Sequence, residues 1–134
     1  MRMAKLLKQM GHYVMLYGGD QNDAPCDEHI VTLTTAEHQS VGANWPYQNA
    51  LMTAENPLWK IAVPRTIAEI EKRKQPRDMI FTLGGVSQKA VYDAHKDLMD
   101  VEYSIGYPGN CCRYRVWESH AWKHICYGAQ SMNS

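Results

Sequence analysis

The sequence predicts an α/β protein, with a Rossmann-like open parallel sheet of about four strands flanked by helices. Short apolar runs of strand length alternate with helical segments, which is typical of this class. Glycine pairs follow two of the apolar runs, at Gly18-Gly19 and Gly84-Gly85. Residues 79–105 have the order strand, glycine turn, helix, strand. That order predicts a βαβ unit whose two strands are parallel.

The first elements are a helix and two strands. Met3, Leu6, Leu7 and Met10 lie at i, i+3, i+4 and i+7, so they form one apolar face of a helix that Gly11 ends. A strand is predicted over residues 12–17, and a glycine turn follows it. A second short strand is predicted over residues 30–33.

Residues 34–58 form the least regular part of the chain. Glycine, asparagine and proline interrupt the pattern often, so an irregular insertion with one or two short helical turns is expected. Pro64 is predicted in the first turn of the next helix. On that helix Glu69 and Arg73 are spaced as a favourable i,i+4 pair.

The βαβ unit and a final helix complete the chain. Residues 79–83 and 98–105 are the predicted strands, and Ser87 is a candidate cap for the helix between them. A last helix is predicted over residues 113–127, with Gly128 as its stop. Residues 129–134 are predicted to be a frayed tail.

One strand of the expected fold is missing from the pattern. A doubly wound domain opens with a strand that lies in the middle of its sheet. This chain opens with the helix that should follow that strand. The strands beginning near His12 and Met79 then lack their shared neighbour. Either they pair with each other or an edge stays open.

Length and composition limit the class of protein. The 134 residues suffice for a single domain, interpreted as one partial Rossmann-like domain over residues 1–134. Acidic and basic residues number 14 each, so a zero net charge argues against nucleic-acid or anionic-membrane partners. No apolar stretch approaches the roughly 20 residues of a membrane span, and no secretory signal is recognisable. Four cysteines without a disulfide pattern favour free thiols in the cytoplasm.

Two segments are candidates for ligand contact at the predicted sheet edge. The turn at residues 84–89 offers backbone amides at a helix N-terminus, where anions such as phosphate bind, although glycine turns are also common without a ligand. Residues 106–109 form a rigid loop with Tyr107 at its tip, and Tyr103 and Tyr107 are candidates for stacking on a sugar or base, or for plain packing. The tips at Val86 and Tyr107 are expected to face one crevice.

Glu102 is the candidate catalytic residue. It interrupts an apolar strand near its carboxyl end, where burying a carboxylate is costly unless it is paired. It is interpreted either as a base or hydrogen-bond acceptor for a polyhydroxyl ligand, or as a structural salt bridge to Arg113 or Arg115.

Histidines and cysteines give weaker signals. His120 and His124 have the i,i+4 spacing of zinc-binding helices, but the glutamate that should follow the first histidine is absent, so a solvated helix face is favoured. Cys111 and Cys112 are interpreted as inert thiols. No metal and no cofactor is assigned from the sequence.

Four blocks of the sequence resemble a known enzyme family. LLKQMGHYVMLYGG, NDAPCDEH, LGGVSQKAVYDAHKDLMDVEYSIGYPG and RVWESHAWKHICYG resemble the N-terminal domain of GT-B glycosyltransferases, in particular a family-4-like group common in phage and environmental genomes. The similarity covers most of residues 6–128, with an interruption at residues 34–58. It implies a nucleotide-sugar-dependent transferase with two Rossmann-like domains, of which this chain matches part of the acceptor-side domain.

The resemblance also implies the site residues and the partners. The positions that match the family pattern and are expected to contact ligand are Gly84, Gly85, Gln88, Lys89, Gly106, Tyr107, Gly109, Arg115, Glu118 and Ser119. Implied partners are a nucleotide-sugar donor and a glycan or other acceptor. The first strand and the donor domain are not recognisable in these residues, so the fragment is expected to be inactive alone. The alternative is a non-catalytic glycan- or phosphate-binding or interaction module, with self-association through an open sheet edge.

Overall fold

The computed structural model describes residues 2–42, 56–106 and 109–132. These residues form an α/β fold with two parallel sheets and flanking helices, as the sequence predicts. The helices are α1 (Arg2–Gln9), α2 (Thr35–Gly42), α3 (Pro57–Arg73), α4 (Lys89–Ala94) and α5 (His120–Met132). The strands are β1 (Met15–Gly19), β2 (Glu28–Leu33), β3 (Met79–Thr82), β4 (Met99–Ile105) and β5 (Tyr114–Trp117).

Helix α1 and strands β1 and β2 form the first unit. Gly11, with φ +90°, ends α1 as predicted. Strand β1 begins at Met15 rather than His12, because Asp27 engages both backbone groups of Val14: its carboxylate accepts from the Val14 amide at 2.7 Å and its amide donates to the Val14 carbonyl at 2.8 Å. The ladder to β2 therefore starts with the Met15–Glu28 pair, two residues before the predicted strand.

Two helices correct the interpretation of the middle of the chain. Residues 35–42 are the helix α2, which fits the expected short helical turns, whereas residues 43–55 lie outside the described residues. Helix α3 begins at Pro57, capped by the Asn56 side chain, which accepts from the Leu58 amide at 3.0 Å. Pro64 is therefore inside α3, and its predicted place in the first turn is wrong. The predicted Glu69–Arg73 ion pair is present.

The predicted βαβ unit is confirmed. Strands β3 and β4 are parallel, in a register that pairs Met79 with Met99 and Thr82 with Glu102. A 3₁₀ turn at Gly85–Gln88 leads into α4. Ser87 does not cap α4, because it lies inside this turn and its hydroxyl donates to the Gly84 carbonyl.

The last part of the chain contains a strand that the sequence interpretation missed. Tyr114–Trp117 alternates exposed and half-buried residues and extends the sheet as β5 beside β4. The predicted helix from Arg113 is wrong over this range, because period-two burial selects a strand. Helix α5 starts at His120 and continues past Gly128 to Met132, so neither the predicted stop nor the frayed tail at 129–132 is correct.

The order of the strands leaves one position open. The sheets have the orders β1-β2 and β3-β4-β5, and β1 and β3 share no ladder among the described residues. One parallel strand between β1 and β3 would complete the doubly wound order 3-2-1-4-5-6. Helix α3 connects the halves, since its residues Val63 and Ile70 pack with Val91 of α4, Tyr17 of β1 and Ile80 of β3. Among the described residues β1 and β3 do not pair with each other, so each has one edge without a described neighbour.

Candidate functional site

The carboxyl ends of β3 and β4 lie together. The Val86 amide, in the turn after β3, donates to the carbonyl of Gly109, beyond β4, at 2.7 Å. Gly109 has φ +83°, and a Cβ there would lie 3.5 Å from both γ-methyls of Val86. The turn after β3 and the loop after β4 therefore meet at one edge of the sheet, where the sequence predicts a crevice. Tyr107 lies outside the described residues, so its predicted place at the tip stays a prediction.

The glycine turn is held by its own hydrogen bonds. Gly84 and Gly85 have φ +110° and +61°, which explains why glycine occupies both positions. The Gln88 side chain donates to the Leu83 carbonyl at 3.3 Å, and the Lys89 ammonium pairs with Asp93 at 2.6 Å. With the Val86 amide engaged by Gly109, the predicted anion site is left with little donor capacity of its own.

A second group of family-type positions surrounds Gly106. A Cβ at Gly106 would overlap the Glu118 carboxylate, so glycine is required for this close approach. The Glu118 amide donates to the Ile105 carbonyl at 3.0 Å. Ser119 caps α5 by accepting from the Trp122 amide at 3.3 Å. Gly106, Glu118 and Ser119 thus meet where β4, β5 and α5 join.

Arg115 acts on the loop between β4 and β5. Its Nε donates to the Cys112 carbonyl at 2.8 Å, which fixes the backbone of that loop. Nine of the ten positions implied by the resemblance are therefore described. They lie in the contact between the turn after β3 and Gly109, in the group around Gly106, and at Arg115, while Tyr107 lies outside the described residues.

Glu102 is completely buried and holds the same loop. Its Oε2 accepts from the amides of Cys111 at 2.8 Å and Cys112 at 3.1 Å. A side chain with no exposed surface offers no direct route to a ligand, so these contacts give Glu102 a structural role in the described arrangement. Its assignment as a catalytic residue stays a prediction.

A cluster of buried acids and thiols lies directly beneath the crevice. We call Asp100, Glu102, Cys111 and Cys112 the acid–thiol cluster. Thr82 donates to Asp100 Oδ1 at 2.6 Å, and the Cys112 thiol donates to the same oxygen at 3.5 Å. The buried Oδ2 of Asp100 has no hydrogen-bond partner among the described residues.

Burial shifts the pKa of Asp100, and the hydrogen bond between the two thiols shifts the pKa values of Cys111 and Cys112. Desolvation raises the pKa of Asp100, and the Thr82 hydrogen bond opposes that rise. The Cys112 thiol, hydrogen-bonded to Cys111, lowers the pKa of Cys111, whereas the pKa of Cys112 is raised.

A groove of about 480 Å³ opens between α3 and the turn after β3. Trp59, Lys60 and Val63 line it on the side of α3, and Val86 and Lys89 line it on the other side. It gives the crevice a concave wall with an aromatic side chain.

Sequence reasoning missed several of these residues. Asp100 and Thr82 look like ordinary strand residues, and only their register across β3 and β4 brings them together. The available signal was Asp100, a charged residue two positions before Glu102 in an apolar run. The sequence did not indicate a groove at Trp59, because the residues on the opposite side of the groove are about 30 positions away in sequence.

The histidine pair on α5 gains no support as a metal site. His120 and His124 are exposed, and no third potential ligand joins them among the described residues. The described helices also include none that is long and apolar enough to cross a bilayer.

Comparison of the chain with protein-family models, with curated proteins and with solved structures found no match.

Proposed function

We propose that this chain is the acceptor-side domain of a nucleotide-sugar-dependent glycosyltransferase of the GT-B type, inactive without a donor domain. The observation that carries the proposal is the contact between the turn after β3 and the loop after β4, made by the Val86–Gly109 hydrogen bond, with the groove lined by Trp59 beside it. The predicted crevice lies at this contact. In open α/β sheets, ligands bind beyond the carboxyl ends of the strands, which is where this crevice lies.

The groove beside the crevice suits a saccharide acceptor. Trp59 offers an aromatic face on which a sugar ring can stack, and Lys89 and Asp93 supply a donor and an acceptor for hydroxyl groups. The nucleotide sugar would bind to the donor domain, and no cofactor is required of residues 1–134. The four cysteines form no disulfide, and we place the enzyme in the cytoplasm.

Ligand-observed NMR on the purified chain tests the proposal. Oligosaccharides and nucleoside diphosphates are offered separately, and we expect magnetisation transfer to the saccharides only. Gly109→Ala should abolish that signal, because alanine is strained at φ +83° and would shift the crevice wall. Gly11→Ala is the matched control, since it carries the same kind of strain at φ +90° with no atom within 4 Å of the added methyl.

The outcomes separate the parts of this proposal. Binding of nucleotides without saccharides would overturn the acceptor-side assignment. Sugar transfer from any nucleotide sugar by the isolated chain would overturn the expectation that it is inactive alone. An equal loss of saccharide binding in both glycine variants would remove the crevice as the binding site.

A second candidate function is an interaction module that uses the open sheet edge. The specific observation is that β1 and β3 share no ladder among the described residues, although both pack against α3. An unpaired strand edge is a template for pairing with another chain, including a second copy of this one.

Sedimentation analysis of two lysine variants tests this candidate. Met79 and Met99 are paired across β3 and β4 and are similarly exposed, at 49% and 43%. Of these two strands, β4 has a neighbour on both sides and β3 has a described neighbour on one side only. Met79→Lys should therefore yield a monomer, and Met99→Lys should leave self-association intact. A wild-type chain that is monomeric at high concentration would dismiss self-association.

A further inference from the structure

We propose that the acid–thiol cluster is a binding site for a thiophilic divalent cation, with zinc as the best match. Its ligands are the thiolates of Cys111 and Cys112 and the carboxylate of Glu102, and Asp100 lies beside them as the candidate fourth ligand. This site goes beyond the glycosyltransferase proposal, and the sequence interpretation assigned no metal to these residues.

The geometry brings the ligand atoms together. One ligand atom from each of Glu102, Cys111 and Cys112 lies within 4.8 Å of the other two. Asp100 is not part of this group of three, but it lies next to it, since its Oδ1 accepts from Cys112 Sγ at 3.5 Å. In a tetrahedral zinc site, with Zn–S of about 2.3 Å and Zn–O of about 2.1 Å, a sulfur and an oxygen ligand are separated by about 3.6 Å.

The unpartnered oxygen of Asp100 points independently to a ligand. Asp100 is 1% exposed, and its Oδ2 has no hydrogen-bond partner among the described residues. A buried carboxylate oxygen without a partner costs free energy, and such groups are normally paired or coordinate a metal.

The surrounding hydrogen bonds match those of a metal site. Thr82 holds Asp100 through Oδ1, which leaves Oδ2 for coordination. Two backbone amides hold Glu102 through Oε2. Ligating carboxylates in metalloproteins are oriented by hydrogen bonds of this type.

The charge of the cluster favours a cation. The Glu102 carboxyl and two thiols converge, with the Asp100 carboxyl beside them, and Lys89, which interacts electrostatically with Cys111, is paired with Asp93. On coordination, each thiol forms a metal–sulfur bond and releases its proton to solvent. Thiolates together with carboxylates in tetrahedral geometry select zinc over magnesium or calcium, which prefer oxygen ligands alone.

Cadmium and zinc titrations of the full chain test this site. The protein is prepared without a histidine tag, treated with a chelator and kept reduced with a phosphine. We expect an ultraviolet thiolate-to-cadmium charge-transfer band that saturates at one equivalent. We also expect the protein to compete with a chromophoric chelator for zinc at the same stoichiometry. Bound zinc should raise the midpoint of thermal unfolding.

Three variants locate the metal. Cys111→Ser should weaken the band, because only the Cys112 thiolate remains, whereas Cys26→Ser, at a half-buried free cysteine elsewhere, should leave it unchanged. Thr82→Val keeps the shape of the side chain but removes the hydrogen bond to Asp100, so zinc affinity should fall about 10- to 100-fold.

Each result decides the proposal. A wild-type chain that gives no cadmium band and no change in its unfolding midpoint with zinc overturns the site, whatever the variants do. A band of undiminished intensity in Cys111→Ser, or a weaker band in Cys26→Ser, also overturns it. Circular dichroism establishes that each variant is folded, and the wild-type measurements remain decisive if one is not.

Discussion

At the scale of single residues, buried polar groups organise the region beneath the crevice. Glu102, Asp100 and His95 have at most 1% of their surface exposed. Glu102 accepts two backbone amides from the loop that follows β4, and Asp100 accepts from Thr82 and Cys112. These side chains fix the loop position, and the loop in turn supplies Gly109 to the crevice.

Replacing Glu102 tests its structural role. Glu102→Ala removes the acceptor of the Cys111 and Cys112 amides, and each buried donor left unpaired costs about 1–3 kcal/mol. We therefore expect the free energy of unfolding in urea to fall by about 3 kcal/mol. The control Glu71→Ala, at a side chain 62% exposed, should change it little. Unchanged stability in Glu102→Ala, with loss of ligand binding, would instead support a functional carboxylate.

At the scale of elements, α3 is the part to which the others attach. Its N-terminus is capped by Asn56, its apolar side packs against β1, β3 and α4, and Arg65 reaches α2. Glu37 lies at the centre of the contact with α2, because it bonds the Thr34 amide at 3.0 Å and pairs with Arg65 at 2.7 Å. This arrangement is a capping box joined to an interhelical ion pair.

The stability that Glu37 contributes to the contact between α2 and α3 should depend on pH. The hydrogen bond from Arg65, followed by that from the Thr34 amide, lowers the pKa of Glu37 to about 2 from an ordinary value of 4.5. A lowered pKa contributes stability above pH 4.5, and that contribution is lost as the pH falls through 2. The stability difference between wild type and Glu37→Gln should therefore be largest near neutral pH and vanish near pH 2. A difference that does not change with pH would show that Glu37 acts without its charge.

Pro64 predicts a gain of stability. It lies inside α3, where proline removes a backbone donor and crowds the preceding turn. Pro64→Ala should raise the free energy of unfolding by about 2 kcal/mol, after allowing for the greater freedom of the unfolded chain. Pro76 lies in the turn after α3, so Pro76→Ala only increases the conformational freedom of the unfolded chain. It should therefore be slightly destabilising. A loss of stability in Pro64→Ala would mean that packing of α3 depends on the proline.

At the scale of the whole molecule, two parallel sheets are connected by one helix. Strand β4 is the only described strand with a neighbour on each side, whereas β1 and β3 each have one described neighbour. The halves share the cluster around Val63 and Ile70, not a continuous ladder. Stability should therefore be uneven across the fold.

Native-state hydrogen exchange tests this unevenness. The amides of β4 should exchange most slowly, because both edges of that strand are paired. Amides of β1 should exchange faster, since its second edge has no described strand beside it. Equal protection in β1 and β4 would show that the open position is covered in solution. Met99→Lys is the control: it leaves both ladders of β4 in place, so the amides of β4 should still exchange most slowly in this variant.

The sequence by itself determined the α/β class, helix α1, the βαβ unit and the open position between β1 and β3. Those features depend on local periodicity, glycine turns and the order of elements, all of which are visible along the chain. It could not determine β5, the start of α3 or the place of Pro64, because four alternating residues match a helix as well as a strand until β4 lies beside them. Only the tertiary structure brought Asp100, Glu102 and the two cysteines together. Their convergence depends on strand register and on a loop return, which no spacing in the sequence encodes.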